Sequence, residues 1–172
     1  MIDAPTRLVG PDIALRPWRA GDEAELVDAW HDADVLRWTA PPAPADHRAA
    51  ERWIDGAAAR TAAGIAVDLV ITAPPSDEAQ GEVGLYAFDR RRRGAQVGYW
   101  VAAGSRGRGY AAAALDLVAE WVLVPDRLAV LVARCHGDNH YSKAVAAAAG
   151  FDLAGVDDDG YELFVRRSPT RC

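Results

Sequence analysis

The sequence is poor in several things, and each shortage excludes a class of protein. Only two of its 172 residues are cysteines, Cys135 and Cys172, so no disulfide framework is expected. No apolar run approaches the roughly 18–20 residues of a membrane span, and Met1 to Thr6 lacks the charged-then-apolar pattern of a secretory signal. A cytoplasmic protein with no membrane partner is the expectation. Positive charge is not in excess: the formal net charge is −6, which points away from nucleic acid and toward a cationic small substrate. The histidines His31, His47, His136 and His140 form no ligand pattern. Gly137 and Asp138 put a turn between the last two, so no metal is expected. Internal repeats and long linkers are missing too, and residues 1–172 read as a single domain.

What is present is a periodic pattern that changes along the chain. Leu8 to Arg16 reads as a hairpin turned by Gly10-Pro11-Asp12 and ended by Pro17. Asp22 is a candidate cap for a helix over Glu23 to His31, and Asp46 for a second helix through about Ala63, stopped by Gly64. The proline-rich stretch Ala40 to Pro44 reads as a loop, and Trp38 falls in the connection before it. Strands follow at Ala66–Thr72, Glu82–Phe88 and Gln96–Ala102, the last two antiparallel around the arginine run Arg90 to Arg93. That run ends in Gly94 and reads as a solvated hairpin tip rather than a nucleic-acid patch. A helix runs from Ala111 to Leu123, then a strand at Leu128–Arg134, expected to be buried on both faces. An alanine-rich helix over Ser142–Ala149 stops at Gly150. A hairpin, Phe151–Val156 with Tyr161–Arg166, closes the chain. Antiparallel strands first and a βαβα unit later predict one mixed α/β domain.

The most informative stretch is Ser105-Arg106-Gly107-Arg108-Gly109-Tyr110-Ala111, a glycine-rich turn between a strand and a helix. Backbone N–H groups converge in such a turn, and the helix dipole favours negative charge there. Arg106 and Arg108 add donors suited to phosphate, so the turn reads as a pyrophosphate cradle.

This order of elements resembles the GNAT superfamily of acyl-CoA-dependent N-acyltransferases, and within it the RimJ/RimL-like branch. Three segments carry the resemblance: Arg106-Gly107-Arg108-Gly109-Tyr110-Ala111, the preceding Gly98-Tyr99-Trp100-Val101, and Asn139-His140-Tyr141-Ser142 followed by Gly150-Phe151. The opening Leu15-Arg16-Pro17-Trp18 with Gly21-Asp22 is similar to the branch as well. The resemblance implies a mostly antiparallel twisted sheet with helices on both faces. It also implies that the fourth and fifth main strands, Gln96–Ala102 and Leu128–Arg134, splay apart. Acetyl-CoA is the implied co-substrate. Its pyrophosphate would lie on the amides of Gly107, Arg108, Gly109, Tyr110 and Ala111 beside Arg106. Its pantetheine would pair with Trp100, Val101 and Ala102 and bond Asn139, with Ser142 near the sulfur.

The implied reaction is direct attack of a primary amine, on a small molecule or a protein N-terminus, on the thioester. A backbone N–H near Val101 would hold the oxyanion, and Ser142, or second Tyr141, would protonate the leaving thiolate. Ser142 could instead only cap its helix. Glu82 is the candidate base, while Gln96 stands where many members place a carboxylate. Trp38, Tyr86 and Glu82 are the candidate acceptor contacts, and a homodimer is possible in this family. Two alternatives stay open: a non-catalytic acyl-CoA sensor on the same fold, and a dinucleotide-binding oxidoreductase. Gly107-Arg108-Gly109-Tyr110-Ala111-Ala112 matches G-x-G-x-x-A, but the next strand ends in Arg134-Cys135-His136 and not in the acid that such a site needs.

Overall fold

The Gly10-Pro11-Asp12 turn joins a very short first strand, β1 (Leu8–Val9), to β2 (Ala14–Pro17). Four helices follow: α1 (Glu23–His31), α2 (Ala33–Trp38), α3 (His47–Asp55) and α4 (Ala57–Ala62). Then come β3 (Ala66–Thr72), β4 (Gly81–Asp89) and β5 (Gly94–Val101). After them lie α5 (Tyr110–Val122), β6 (Val130–Cys135), α6 (His140–Ala148), β7 (Asp152–Val156) and β8 (Glu162–Arg167). This computed structural model describes residues 2–169, and Cys172 lies outside the described residues.

The strands form one eight-stranded sheet in the order β1-β2-β3-β4-β5-β6-β8-β7. Every neighbouring pair is antiparallel except β5 and β6. That parallel ladder covers only Gly94–Gln96 against Val130–Val132. Beyond it β5 runs on to Val101 and β6 to Cys135 without pairing to each other, which is the predicted splay. Two features lie beside the splay. A bulge in β4, where Ala87 has φ 50°, shifts the β4–β5 register between Tyr86 and Asp89 and adds local twist. Across the gap, the Tyr99 ring of β5 reaches the first turn of α6, its hydroxyl donating to Ser142 O at 2.7 Å. At the outer margins, β1 is two residues long, and the β7–β8 register shifts between Leu153 and Gly155.

Alternation along the strands sends their residues to two different faces. On one face Val67, Leu69, Ile71, Val83, Leu85 and Val97 pack with Leu115, Val118 and Val122 of α5 into an aliphatic core. On the other, Trp18, Leu26, Trp30, Ala50, Ile54 and Val70 make a smaller, tryptophan-rich core under α1 and α3. Helices therefore cover both faces, as expected.

Several local expectations need correction. A second helix, α2, separates α1 from the proline loop, and Trp38 is its last residue rather than a loop residue. Asp32 starts it by accepting from the N–H groups of Asp34 and Val35. Asp46 caps α3 as predicted, but the long helix breaks at Gly56 into α3 and α4. Asp22 precedes α1 without capping it by side chain. Instead it takes both ends of the Arg16 guanidinium, at 2.7 and 2.8 Å, in a buried pair that ties β2 to α1. β6 is buried on one face only, through Leu131, Ala133 and Cys135. At the arginine tip, Arg93 donates to the carbonyls of Arg127 and Pro125, which pins the loop after α5.

Candidate active site

The glycine-rich turn lies where the sequence puts it, between β5 and α5. A short 3₁₀ turn, Ala103–Ser105, leads from β5 into it, and α5 starts at Tyr110. Gly107 and Gly109 have φ of +75° and +79°, a conformation that strains any residue with a Cβ. The N–H groups of Gly107, Arg108, Gly109, Tyr110, Ala111 and Ala112 find no acceptor among the described residues. No acidic side chain stands in the first turn of α5. Free donors at the positive end of a 13-residue helix fit a pyrophosphate. Arg106 differs from expectation. Its guanidinium bonds Asp32 at 2.5 Å and Asp34 at 2.9 Å, and its Nε donates to Val101 O at 3.1 Å. It braces the loop against the start of α2, whereas Arg108 remains exposed.

Beyond the ladder with β6, one edge of β5 is open, but not at all three residues expected. Ala102 N–H donates to Gln80 O at 2.9 Å, and Ala102 O accepts from Ser105. Trp100 O lies on the same β4 side, close to Gly81. Alternation therefore turns the backbones of Tyr99 and Val101, not of Trp100 and Ala102, toward the gap. With the Val101 carbonyl held by Arg106, the N–H groups of Tyr99 and Val101 are the donors that face the splay.

The gap opens into a cavity of about 720 Å³. Its floor is the polar face of the sheet, with Asp68 of β3, Glu82, Gly84 and Tyr86 of β4, and Trp100 of β5. Trp38 of α2 roofs it, with ring centroids 5.3 Å from His136 at the end of β6. Gly98 permits a close approach: a Cβ there would stand 3.1 Å from the Tyr86 ring. Glu82 accepts from the Trp18 indole N–H at 2.7 Å. Burial, helped by the charge of Asp68, raises its pKa from the ordinary 4.5 to about 7. The indoles of Trp18 and Trp100 and the charge of Arg60 oppose that rise without cancelling it.

On the far wall, Asn139 caps α6 by accepting from Ser142 N–H at 3.0 Å. Ser142 is thus not the cap. Its Oγ lies 3.0 Å from Tyr99 Oη and 3.3 Å from Cys135 Sγ. Tyr99 spends its own proton on Ser142 O, so the Ser142 hydroxyl keeps a proton to give. Burial pushes the Cys135 thiol up, which suits a filler rather than a nucleophile. Tyr141, the alternative donor, is 89% exposed and points away from the cavity.

The cavity thus brings together Trp38, Glu82, Tyr86, Trp100, Asn139 and Ser142. Gln96 sits at the last rung of the β5–β6 ladder and does not line it. Sequence reasoning missed Asp68, Arg60 and the role of Tyr99. The available signal for Asp68 was a lone charge in the otherwise apolar segment Ala66–Thr72.

Comparison with known proteins agrees with this fold. Residues 12–152 match the acetyltransferase (GNAT) domain family. Among solved structures, a Vibrio cholerae protein assigned as a ribosomal-protein-serine acetyltransferase superposes with TM-score 0.84 at 18% identity, covering 96% of this chain and 99% of that one. RimJ of Mycobacterium smegmatis, in complex with a CoA disulfide, gives 0.82 at 24% identity, covering 94% and 87%. RimL, a ribosomal-protein alpha-N acetyltransferase in complex with coenzyme A, gives 0.80 at 19% identity, covering 92% and 96%. No curated protein sequence matches the chain. With its glycine cradle, splayed strands and family match over most of its length, the chain belongs to the GNAT acetyltransferases, which makes it an acetyl-CoA-dependent N-acetyltransferase.

Proposed function

We infer that the chain acetylates the α-amine of a protein N-terminus, by direct attack of that amine on the thioester in a ternary complex. The observation that carries this reading is Glu82, a carboxyl of pKa about 7 on the floor of the cavity into which the open edge of β5 leads. An α-ammonium has a pKa near 8 and a lysine near 10.4. Passing its proton to Glu82 is uphill by roughly 1.4 kcal/mol for the first and roughly 4.6 kcal/mol for the second. The site therefore favours α-amines. The solved relatives support the same class, since RimL carries an alpha-N-protein activity in its name.

The bound co-substrate supplies the electrophilic thioester carbonyl; the rest falls to residues of this chain. Amides 107–112 would hold the pyrophosphate, with the exposed Arg108 nearby. Glu82 accepts the ammonium proton, and the Val101 N–H is placed for the oxyanion. As the C–N bond forms and the C–S bond breaks, Ser142 Oγ–H gives its proton to the departing thiolate and takes up the one that the acylated nitrogen loses. Trp38 excludes water from above.

The test pairs calorimetry with thiol release. Acetyl-CoA should bind with micromolar affinity while NADH does not, and Gly109→Asp should remove at least 100-fold of that affinity by placing a charge in the cradle. Peptides with a free N-terminus should release CoA thiol, and the same peptides with a blocked N-terminus and a lysine should not. Binding without release from any amine would make the chain a sensor, and NADH binding in place of acetyl-CoA would revive the oxidoreductase.

A further inference from the structure

The cavity floor holds a second carboxylate that the reaction above does not use. Asp68 of β3 stands opposite Gly84 of β4, and its side chain is only 9% exposed. Arg60 of α4 engages one of its oxygens: Nε at 3.1 Å and Nη2 at 2.8 Å both reach Oδ2. Oδ1 makes no hydrogen bond among the described residues. It leans over Gly84, 3.3 Å from the place a Cβ of that residue would take. Arg60 cannot swing to cover it. Its Nη1 donates to Trp53 O at 3.0 Å, and its guanidinium lies 4.2 Å above the Trp53 ring. Gly84 lies in regular strand without a positive φ, so what this position provides is the missing side chain, not backbone freedom. A buried carboxylate with one oxygen fixed and one oxygen bare, facing a cavity, is a receptor for a hydrogen-bonding cation.

We propose that Asp68 Oδ1 anchors the ammonium of the acceptor, taking one N–H across Gly84 while the neighbouring Glu82 takes another proton away. This rests on the reading of Glu82 as base. The step balances as R–NH₃⁺ plus the Glu82 carboxylate giving R–NH₂ plus the Glu82 acid. An N–H kept on Asp68 through that transfer holds the freed lone pair toward the thioester. Asp68 is thus a substrate-binding residue, and Arg60 and Gly84 position it. The acceptor class follows: a primary amine that arrives as a cation, on a chain end slim enough to pass beneath Trp38.

Two variants test this. Asp68→Asn removes the charge. Gly84→Ala leaves the Asp68–Arg60 pair intact and fills the space in front of Oδ1. Steady-state kinetics at saturating acetyl-CoA should show the amine KM rising at least 10-fold in both, with acetyl-CoA affinity by calorimetry changed less than 2-fold. The pH profile separates anchoring from mere support. The charged groups that face Glu82 are Asp68 from β3 and Arg60 from α4; the indoles of Trp18 and Trp100 do not titrate. Removing the negative one lowers the pKa of Glu82, so the acid limb of kcat/KM should move to lower pH in Asp68→Asn and stay in place in Gly84→Ala. An unchanged amine KM in both variants overturns the proposal and leaves the α-amine reading standing. If the wild type instead prefers a lysine or a small amine, the α-amine reading falls, and the same two variants test Asp68 on the preferred substrate. A wild type that turns over no amine overturns both.

Discussion

Along β3, Val67, Leu69 and Ile71 enter the aliphatic core against α5, while Asp68, one step away, enters the cavity bonded to Arg60. The same division holds on β4, where Val83 and Leu85 are buried on the first face and Glu82, Gly84 and Tyr86 line the second. The two faces differ in what each residue requires. The aliphatic side chains of the first face need no hydrogen bond, and close packing holds them. On the cavity face polar groups need partners: burial beside Asp68 perturbs Glu82, and Asp68 Oδ1 is left without a hydrogen bond among the described residues. The strand period of two thus separates stability from chemistry within single strands.

Three substitutions probe that separation. The largest effect should come from Glu82→Gln, which keeps an acceptor for Trp18 but cannot take a proton. Its kcat should fall on the order of 10²–10⁴-fold, and the wild-type rise of kcat/KM through pH about 7 should vanish. Stability should move the other way. A carboxyl whose pKa is raised on folding stabilises the native state less as pH climbs from about 4.5 through 7. The variant escapes that loss, so its Tm at pH 8 should exceed the wild type's, read by calorimetry. Next, Leu115→Ala on the fully buried face of α5 should cost about 2–5 kcal/mol in urea unfolding. It should leave both KM values near wild type, and a large kinetic change would show that the faces are coupled. Smallest, Ser142→Ala should lower kcat by less than Glu82→Gln does, with acetyl-CoA affinity unchanged. Because Asn139 caps α6, the loss of the Ser142 hydroxyl does not uncap the helix. Unchanged turnover would return Ser142 to a packing role.

Much of this was legible in the sequence where local chemistry dictates local structure. The glycines at 107 and 109 announce the turn, Asp46 announces α3, and the period of two marks β3 to the residue. What could not be read depends on distant partners. Arg106 looks like a phosphate ligand in a glycine-rich motif, and only folding brings Asp32 and Asp34 to it. Asp22 looks like a cap, yet Arg16 from β2 claims it. The short helix α2 lies between an aspartate cap and a proline loop, too brief to show a period. Trp100 and Ala102 carry the right motif, but the phase of the β4–β5 ladder turns their backbones away from the gap.

The open edge of β5 has one more consequence. Unpaired strand edges invite other chains to add to them, and folded proteins blunt such edges to avoid aggregation. Here the outermost strands are poor templates: β1 has only two residues, and β7 is bulged beside Gly155. The regular unpaired edge lies instead inside a cleft, walled by α6 on one side and roofed by Trp38. A slender linear ligand can reach it there, while a neighbouring strand with its own sheet behind it cannot. The backbone groups most hazardous to solubility are thereby kept for a guest of the right width.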